Sequence, residues 1–385
     1  MQHDAIQLNF GLVGGWCREM MGRGAPNPFV VDPEEVAAYG QELERLIYEE
    51  GGDVGLGSPD PEPGFSIPQH DGRLIVACAY GAEPPAWDES IGAFWPKDET
   101  PVWSGLSTVA EVERLPLPNW DENPLIREDI SVREAMKARY GIDRVKAMAR
   151  SWTDYPWTHP ATGVTYNFTT FPTFIDLGGF LMGSTEFLTL LGGEPEVAEA
   201  LLRKCYRISA GYADYMCRVY ESPRIGWGSL GGDNSCVLSP AMYRQYAMAF
   251  DAMVRAHCGN LSRNLHSCGP SRHLYDVWAE YPERKQIVLM QTRAIPGAMV
   301  PLRKALPYTY LQLTIHQPQV DFERETPDRV REIARDLAEA LDFREMSISV
   351  ILSNLDDRCK ANIIAMREAV AEINAKARRL FSEQA

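Results

Sequence analysis

The sequence predicts an α/β chain built from repeated strand–helix units. Two observations carry that reading. From Ser131 onward, short apolar runs rich in β-type residues alternate with stretches of helical periodicity. Before that point Gly and Pro breakers dominate, so the first 130 residues read as a loop-rich and helical extension. Strands are expected at Val145–Ala149, Ile225–Ser229, Leu261–His266, Gln286–Gln291, Thr309–Ile315 and Ser347–Leu352. Helices are expected between them, near Ser184–Leu191, Glu196–Glu221, Pro240–His257, Arg272–Glu280, Pro327–Leu341 and Lys360–Leu380. Six strands suit an open sheet or a closed eight-stranded barrel equally.

In the extension the breakers are Pro26-Asn27-Pro28, the run from Ser58 to Gly64, Glu83-Pro84-Pro85 and Pro116-Leu117-Pro118. One helix is expected there, with Asp32 as N-cap, Pro33 as first residue, Val36, Leu43, Leu46 and Ile47 on its apolar side, and Gly51-Gly52 as its stop. The apolar segment Arg73–Tyr80 reads as a strand. No period of 20 to 50 residues recurs, which excludes solenoids and propellers, and the whole of 1–385 is expected to form one domain.

The chain has 385 residues, 45% of them hydrophobic and 24% charged, an ordinary globular composition. Its net charge of −15 repels a nucleic acid duplex or an anionic membrane surface, so neither is an expected partner. No stretch resembles a membrane span; Gln286–Leu302 comes nearest but carries Gln291 and Arg293. The start lacks a basic region followed by an apolar one, so a cytoplasmic location is expected. Eight cysteines scattered without paired spacing argue for thiols rather than a disulfide framework.

The sharpest local feature is His266-Ser267-Cys268-Gly269, at the end of an expected strand and just before a helix. Residues two apart in extended backbone project to one side, so the His266 imidazole and the Cys268 sulfur can converge on one ion. Zinc accepts both donors, and catalytic zinc sites use three protein ligands with a fourth position open. Cys359, beyond the last strand, and Cys236, after the Gly231–Ser235 loop, are rival third donors. A buried thiol beside a hydrogen-bonded imidazole is the plainer reading of the same residues.

Asp233 lies in a Gly-rich turn after a parallel strand, where such folds place catalytic groups. It could bind metal, act as acid or base, or orient a ligand; as a helix cap it is a poorer candidate than Ser239 before Pro240. Gln291 and His316 close two further strands and are candidate substrate contacts. Trp152, Tyr155, Trp157 and Tyr166 in the loop after the first main strand are candidate walls for an apolar or planar ligand. The stripe Leu201, Cys205, Ile208, Tyr212 and Met216 has helical spacing and reads as core.

Four segments in this order resemble the uroporphyrinogen decarboxylase superfamily, and particularly its zinc-dependent methyltransferase branch, which works with corrinoid proteins and thiols such as coenzyme M. They are the run from Trp87 to Trp95, Gly231-Gly232-Asp233-Asn234 with Ser239-Pro240 and Tyr243, His266-Ser267-Cys268-Gly269, and Asn362-Ile363-Ile364-Ala365-Met366. The resemblance implies a (β/α)8 TIM barrel with its active site at the C-terminal ends of the strands. It also implies a His-x-Cys and distant Cys ligand set, carried here by His266, Cys268 and Cys359. The branch places its last Cys in a Pro-Gly-Cys turn, where this chain has Ser353-Asn354-Leu355, so Cys359 comes a few residues late.

The resulting expectation is a zinc enzyme moving a methyl group from a small-molecule donor, such as an aryl ether, to a corrinoid or thiol acceptor. Asp233 and His266 are its catalytic residues, and any corrinoid would be carried by a partner protein. A homo-oligomer is compatible with this reading. The competing expectations are a metal-free lyase acting on a carboxylated substrate through Asp233, Arg18 and Arg23, and a ligand-binding barrel without turnover.

Overall fold

The computed structural model of the chain describes residues 6–12, 14–62, 70–90, 92–94, 101–141, 157–158, 165–169, 173–219, 225–227, 230–257, 264–267, 269–282, 288–293, 296–307, 309–315, 322–343 and 346–382. Its strands are β1 (Ile6–Leu12), β2 (Trp87–Asp88), β3 (Ala93–Phe94), β4 (Trp157–Thr158), β5 (Thr165–Thr169) and β6 (Ile225–Trp227). Then follow β7 (Leu230–Gly231), β8 (Asn264–His266), β9 (Val288–Arg293), β10 (Tyr310–Ile315) and β11 (Met346–Leu352). The chain divides into two compact units, one of Met1–Gly24, Gln41–Glu62 and Asn264–Ala385, the other of Ala25–Gly40 and Pro63–Arg263. The expected extension, 1–130, contributes to both.

In the first unit the strands run in the order β1-β11-β10-β9-β8, every pair parallel. Helices separate successive strands: Tyr275–Trp278, Pro296–Ala305 and Pro327–Ala340. The last of these starts at Pro327 behind the N-cap Thr326, whose hydroxyl accepts from the Arg329 N–H, and it buries Val330, Ile333, Ala334, Leu337 and Ala338. Sequential neighbours with helical crossovers make a singly wound sheet, unlike the switch-point order of a doubly wound one. The first strand then lies beside the last, as a cyclic order requires. The expected eight-stranded closure is not among the described pairings, so the observed class is α/β with a parallel, singly wound sheet.

The sequence reading missed β1. Its apolar residues alternate with Gln7 and Asn9, and its register is set by seven consecutive pairs with β11 at the far end of the chain. A side chain also holds it. Asn374, buried in the helix Asp357–Ser382, accepts from the Ile6 N–H at 2.8 Å and donates to the Ile6 carbonyl at 3.0 Å, standing in for a neighbouring strand. Asn374→Ala leaves both backbone groups buried and unpaired, an expected loss of about 2 kcal/mol. Hydrogen exchange at Ile6–Leu12 should accelerate in that variant, and unchanged protection there would contradict the role assigned to Asn374.

The second unit corrects the reading of Arg73–Tyr80, which forms the helix Gly72–Ala79 instead of a strand. The deciding residue is Asp71, an N-cap whose side chain accepts from the Arg73 N–H. The breaker-rich stretch also holds more helix than the one expected. Thr108 and Glu111 form a capping box for Val109–Arg114, and Asn123 with Pro124 starts Pro124–Tyr140. The helices Phe174–Met182, Ser184–Gly193 and Pro195–Val219 follow, and a helix over 240–257 contains a π turn at Tyr243–Met248. Leu201, Cys205, Ile208, Tyr212 and Met216 are all buried, as the stripe required. β5 pairs with β6 in parallel, whereas the expected strand Val145–Ala149 lies outside the described residues. No single helix among the described residues is long and apolar enough to cross a membrane.

Candidate functional site

In the first unit β8 ends at His266, paired with Met290 of β9. The loop beyond it is pinned from inside. The hydroxyls of Ser267 and Ser271, both buried, hydrogen-bond to each other, and the Ser271 hydroxyl donates to the Gly269 carbonyl at 3.0 Å. His266 is half-buried at this strand end, while Cys268 lies outside the described residues. Cys359 sits in the first turn of Asp357–Ser382, wholly buried, its N–H donating to Asp356 Oδ1 at 2.7 Å. Burial, with the Glu323 and Asp356 carboxylates adding to it, pushes the Cys359 thiol up to about 12. Glu323 also holds the turn after β11, accepting from the N–H groups of Ser353 and Asn354 and from the Asn354 side-chain amide. Among the described residues no three His, Cys, Asp or Glu side chains come close enough to hold a metal ion.

The second unit presents a different arrangement around Gly231-Gly232-Asp233-Asn234. Asp176, in the first turn of Phe174–Met182, accepts from the Asp233 N–H at 3.0 Å and from the Asn234 N–H at 2.9 Å. Asp251, buried in the helix Ala249–His257, accepts from the Gly231 N–H at 3.2 Å. The Ser235 hydroxyl donates to the Gly232 carbonyl at 2.5 Å. These N–H groups are therefore committed to carboxylates of the chain itself. Gly232 has φ +117°, and a Cβ there would lie 2.1 Å from Thr173 Oγ1 and 2.4 Å from Asp176 Oδ2. Only glycine lets the turn settle onto Asp176.

Asp233 is exposed and begins the short turn Asp233–Val237, which also carries Cys236; Ser239 caps the helix that follows. Burial and the neighbouring Asp233 carboxylate push Asp176 up to about 6, against the lowering effect of its N–H donors and of Thr173. Arg73 feels both carboxylates, pairs with Asp71 at 2.8 Å and lies over the Phe180 ring. The sequence reading missed Asp176. Its one local signal, Thr173 three residues ahead, marks an ordinary helix start, and the Thr173 hydroxyl does accept from the Asp176 N–H.

Of the other expected contacts, Trp152, Tyr155 and His316 lie outside the described residues. Trp157, Tyr166 and Gln291 fall on β4, β5 and β9, where only the backbone is described. Arg23 forms an exposed ion pair with Glu42 at 2.6 Å, and Arg18 lies in the helix Gly14–Met21. The run from Trp87 forms the β2–β3 hairpin, its bend closed by Asp88 accepting from the Ser90 N–H and hydroxyl.

Comparison with protein families finds no match, and comparison with curated proteins finds none similar in sequence. Among solved structures, a methyltransferase from Methanosarcina mazei resembles the chain at 14% identity and a TM-score of 0.48, over 94% of this chain and 91% of that one. A likeness of that size carries no information about activity.

Proposed function

We propose that the chain is a methyltransferase with a zinc site built on His266 and Cys268, with Cys359 as third donor. The observation that supports this reading is the placement of His266 at the C-terminal end of a parallel strand, β8, where Ser267 and Ser271 pin the loop that follows. Zinc bound there would hold a thiol as thiolate or polarise the heteroatom of a methyl donor. The chain's own part is to fix the imidazole at the strand end. In the proposal the methyl donor is a small molecule such as an aryl ether, and the acceptor is a thiol or a corrinoid delivered by a partner protein. Cys359 gives the proposal a chemical handle. A thiol held up at about 12 stays protonated near neutral pH unless a cation ionises it.

Elemental analysis of the purified chain tests this. About one zinc per chain is expected, lost in both Cys268→Ala and Cys359→Ala. Stoichiometric zinc retained in Cys268→Ala would end the assignment, while retention in Cys359→Ala alone would move the third donor elsewhere. The second reading, a metal-free acid–base enzyme of the lyase type, is favoured by one observation: a half-buried Asp176 pushed up to about 6 beside Asp233. It predicts protein free of metal under the same preparation.

A further inference from the structure

Asp176 and Asp233 are 57 residues apart in sequence, yet an Asp176 carboxylate oxygen lies 3.0 Å from the Asp233 backbone nitrogen. The Asp233 carboxylate, carried on the residue whose N–H Asp176 accepts, is near enough to raise the proton affinity of Asp176. Ionising both sets like charges against each other, and the partial burial of Asp176 thins the water that would screen them. The surroundings hold this geometry from every side. Thr173 and Asn234 contact Asp176 from its own helix start and from the turn, Asp251 holds Gly231 from the helix Ala249–His257, and Arg73 faces both carboxylates from Gly72–Ala79. Gly232 lies so close that no side chain fits between turn and carboxylate.

We propose that Asp176 is a positioning residue for Asp233: it fixes the turn that presents the Asp233 carboxyl and is coupled to it by charge, so the two act as a single acid–base couple. A carboxyl at an exposed turn ordinarily loses its proton well below neutrality and is a poor acid there. With a half-buried partner coupled to it, the pair retains a proton to pH values where a leaving heteroatom or a carbanion can use it. The inference rests on Asp233 being an acid–base group, and it does not depend on the zinc site.

Aspartate 13Cγ NMR titration of the full chain tests it, with the variants Asp176→Asn, Asp233→Asn and Asp176→Glu. Wild type should show one carboxyl titrating near pH 6, absent from Asp176→Asn. In Asp233→Asn, an exposed substitution that preserves the fold, this titration should fall by about one pH unit. Amide exchange at Asp233 and Asn234 should rise about tenfold in Asp176→Asn, with partial recovery in Asp176→Glu. Because Asp176 binds its proton more tightly folded than unfolded, its contribution to stability is full below its ordinary value of 3.8 and fades as pH rises through about 6. That slope should disappear in Asp176→Asn. An Asp176 titration that stays in place in Asp233→Asn overturns the coupling, and unchanged exchange in Asp176→Asn overturns the positioning role. Zinc content is a separate measurement, so failure here is distinguishable from failure of the methyltransferase reading.

Discussion

Gly232→Ala is expected to lose about 3–5 kcal/mol of stability, from backbone strain at positive φ together with buried hydrogen bonds broken at the turn. The new methyl would meet Thr173 Oγ1 at 2.1 Å and Asp176 Oδ2 at 2.4 Å. Neither atom can step aside cheaply. Thr173 caps the helix Phe174–Met182, and Asp176 holds the N–H groups of Asp233 and Asn234. Urea unfolding followed by tryptophan fluorescence would measure the loss, and a deficit under about 1 kcal/mol would mean that the turn yields easily. A Thr173→Ala background removes one of the two colliding atoms. The double variant should therefore lose less than the sum of the single losses.

Asp129→Ala should cost about as much, roughly 3–5 kcal/mol, because it strips a buried imidazole of its buried carboxylate partner and leaves only the longer contact to the half-buried Glu128 at 3.3 Å. His70 is enclosed by Phe29 and Phe94, whose ring centroids lie 4.2 Å and 4.9 Å from its own. Its Nδ1 hydrogen-bonds Asp129 Oδ1 at 2.6 Å, and its backbone N–H donates to the same oxygen at 3.1 Å. Burial outweighs these contacts and pushes the Asp129 carboxyl above its ordinary value. Removing the carboxylate leaves two donors without their acceptor. Asp129→Asn keeps an amide oxygen in place and should cost only about 1–2 kcal/mol. Equal losses in the two variants, read from the same unfolding curves, would show that packing rather than the acceptor governs the site.

The sheet of the first unit was legible where short apolar runs sat between turns. β8, β9, β10 and β11 fall within a few residues of their expected places because each run is too short for a helix and is flanked by breakers or caps. β1 was not legible: its register comes from a partner strand and an asparagine at the other end of the chain. The segment Arg73–Tyr80 illustrates an ambiguity of period. Its apolar run fits a strand or a buried helix, and the cap at Asp71 decides for the helix. In the candidate sites, Asp233 could be picked out because a Gly-Gly turn advertises it. Asp176 could not, since the fold alone brings its carboxylate to that turn. Nor could the burial of Cys359 be read in advance, as one residue in a helix's first turn can face either core or solvent.

The clasp between β1 and the helix Asp357–Ser382 joins residues 368 positions apart. On a ribosome adding roughly 5–20 residues per second, Ile6–Leu12 must wait tens of seconds for β11 to be made. Until then an apolar strand travels with unmet backbone groups, while the continuous segment Pro63–Arg263 of the second unit is already complete in sequence. The order of synthesis therefore exposes one end of the chain to aggregation or to chaperones for most of its manufacture, and a chain cut short before β11 would leave that end unprotected for good.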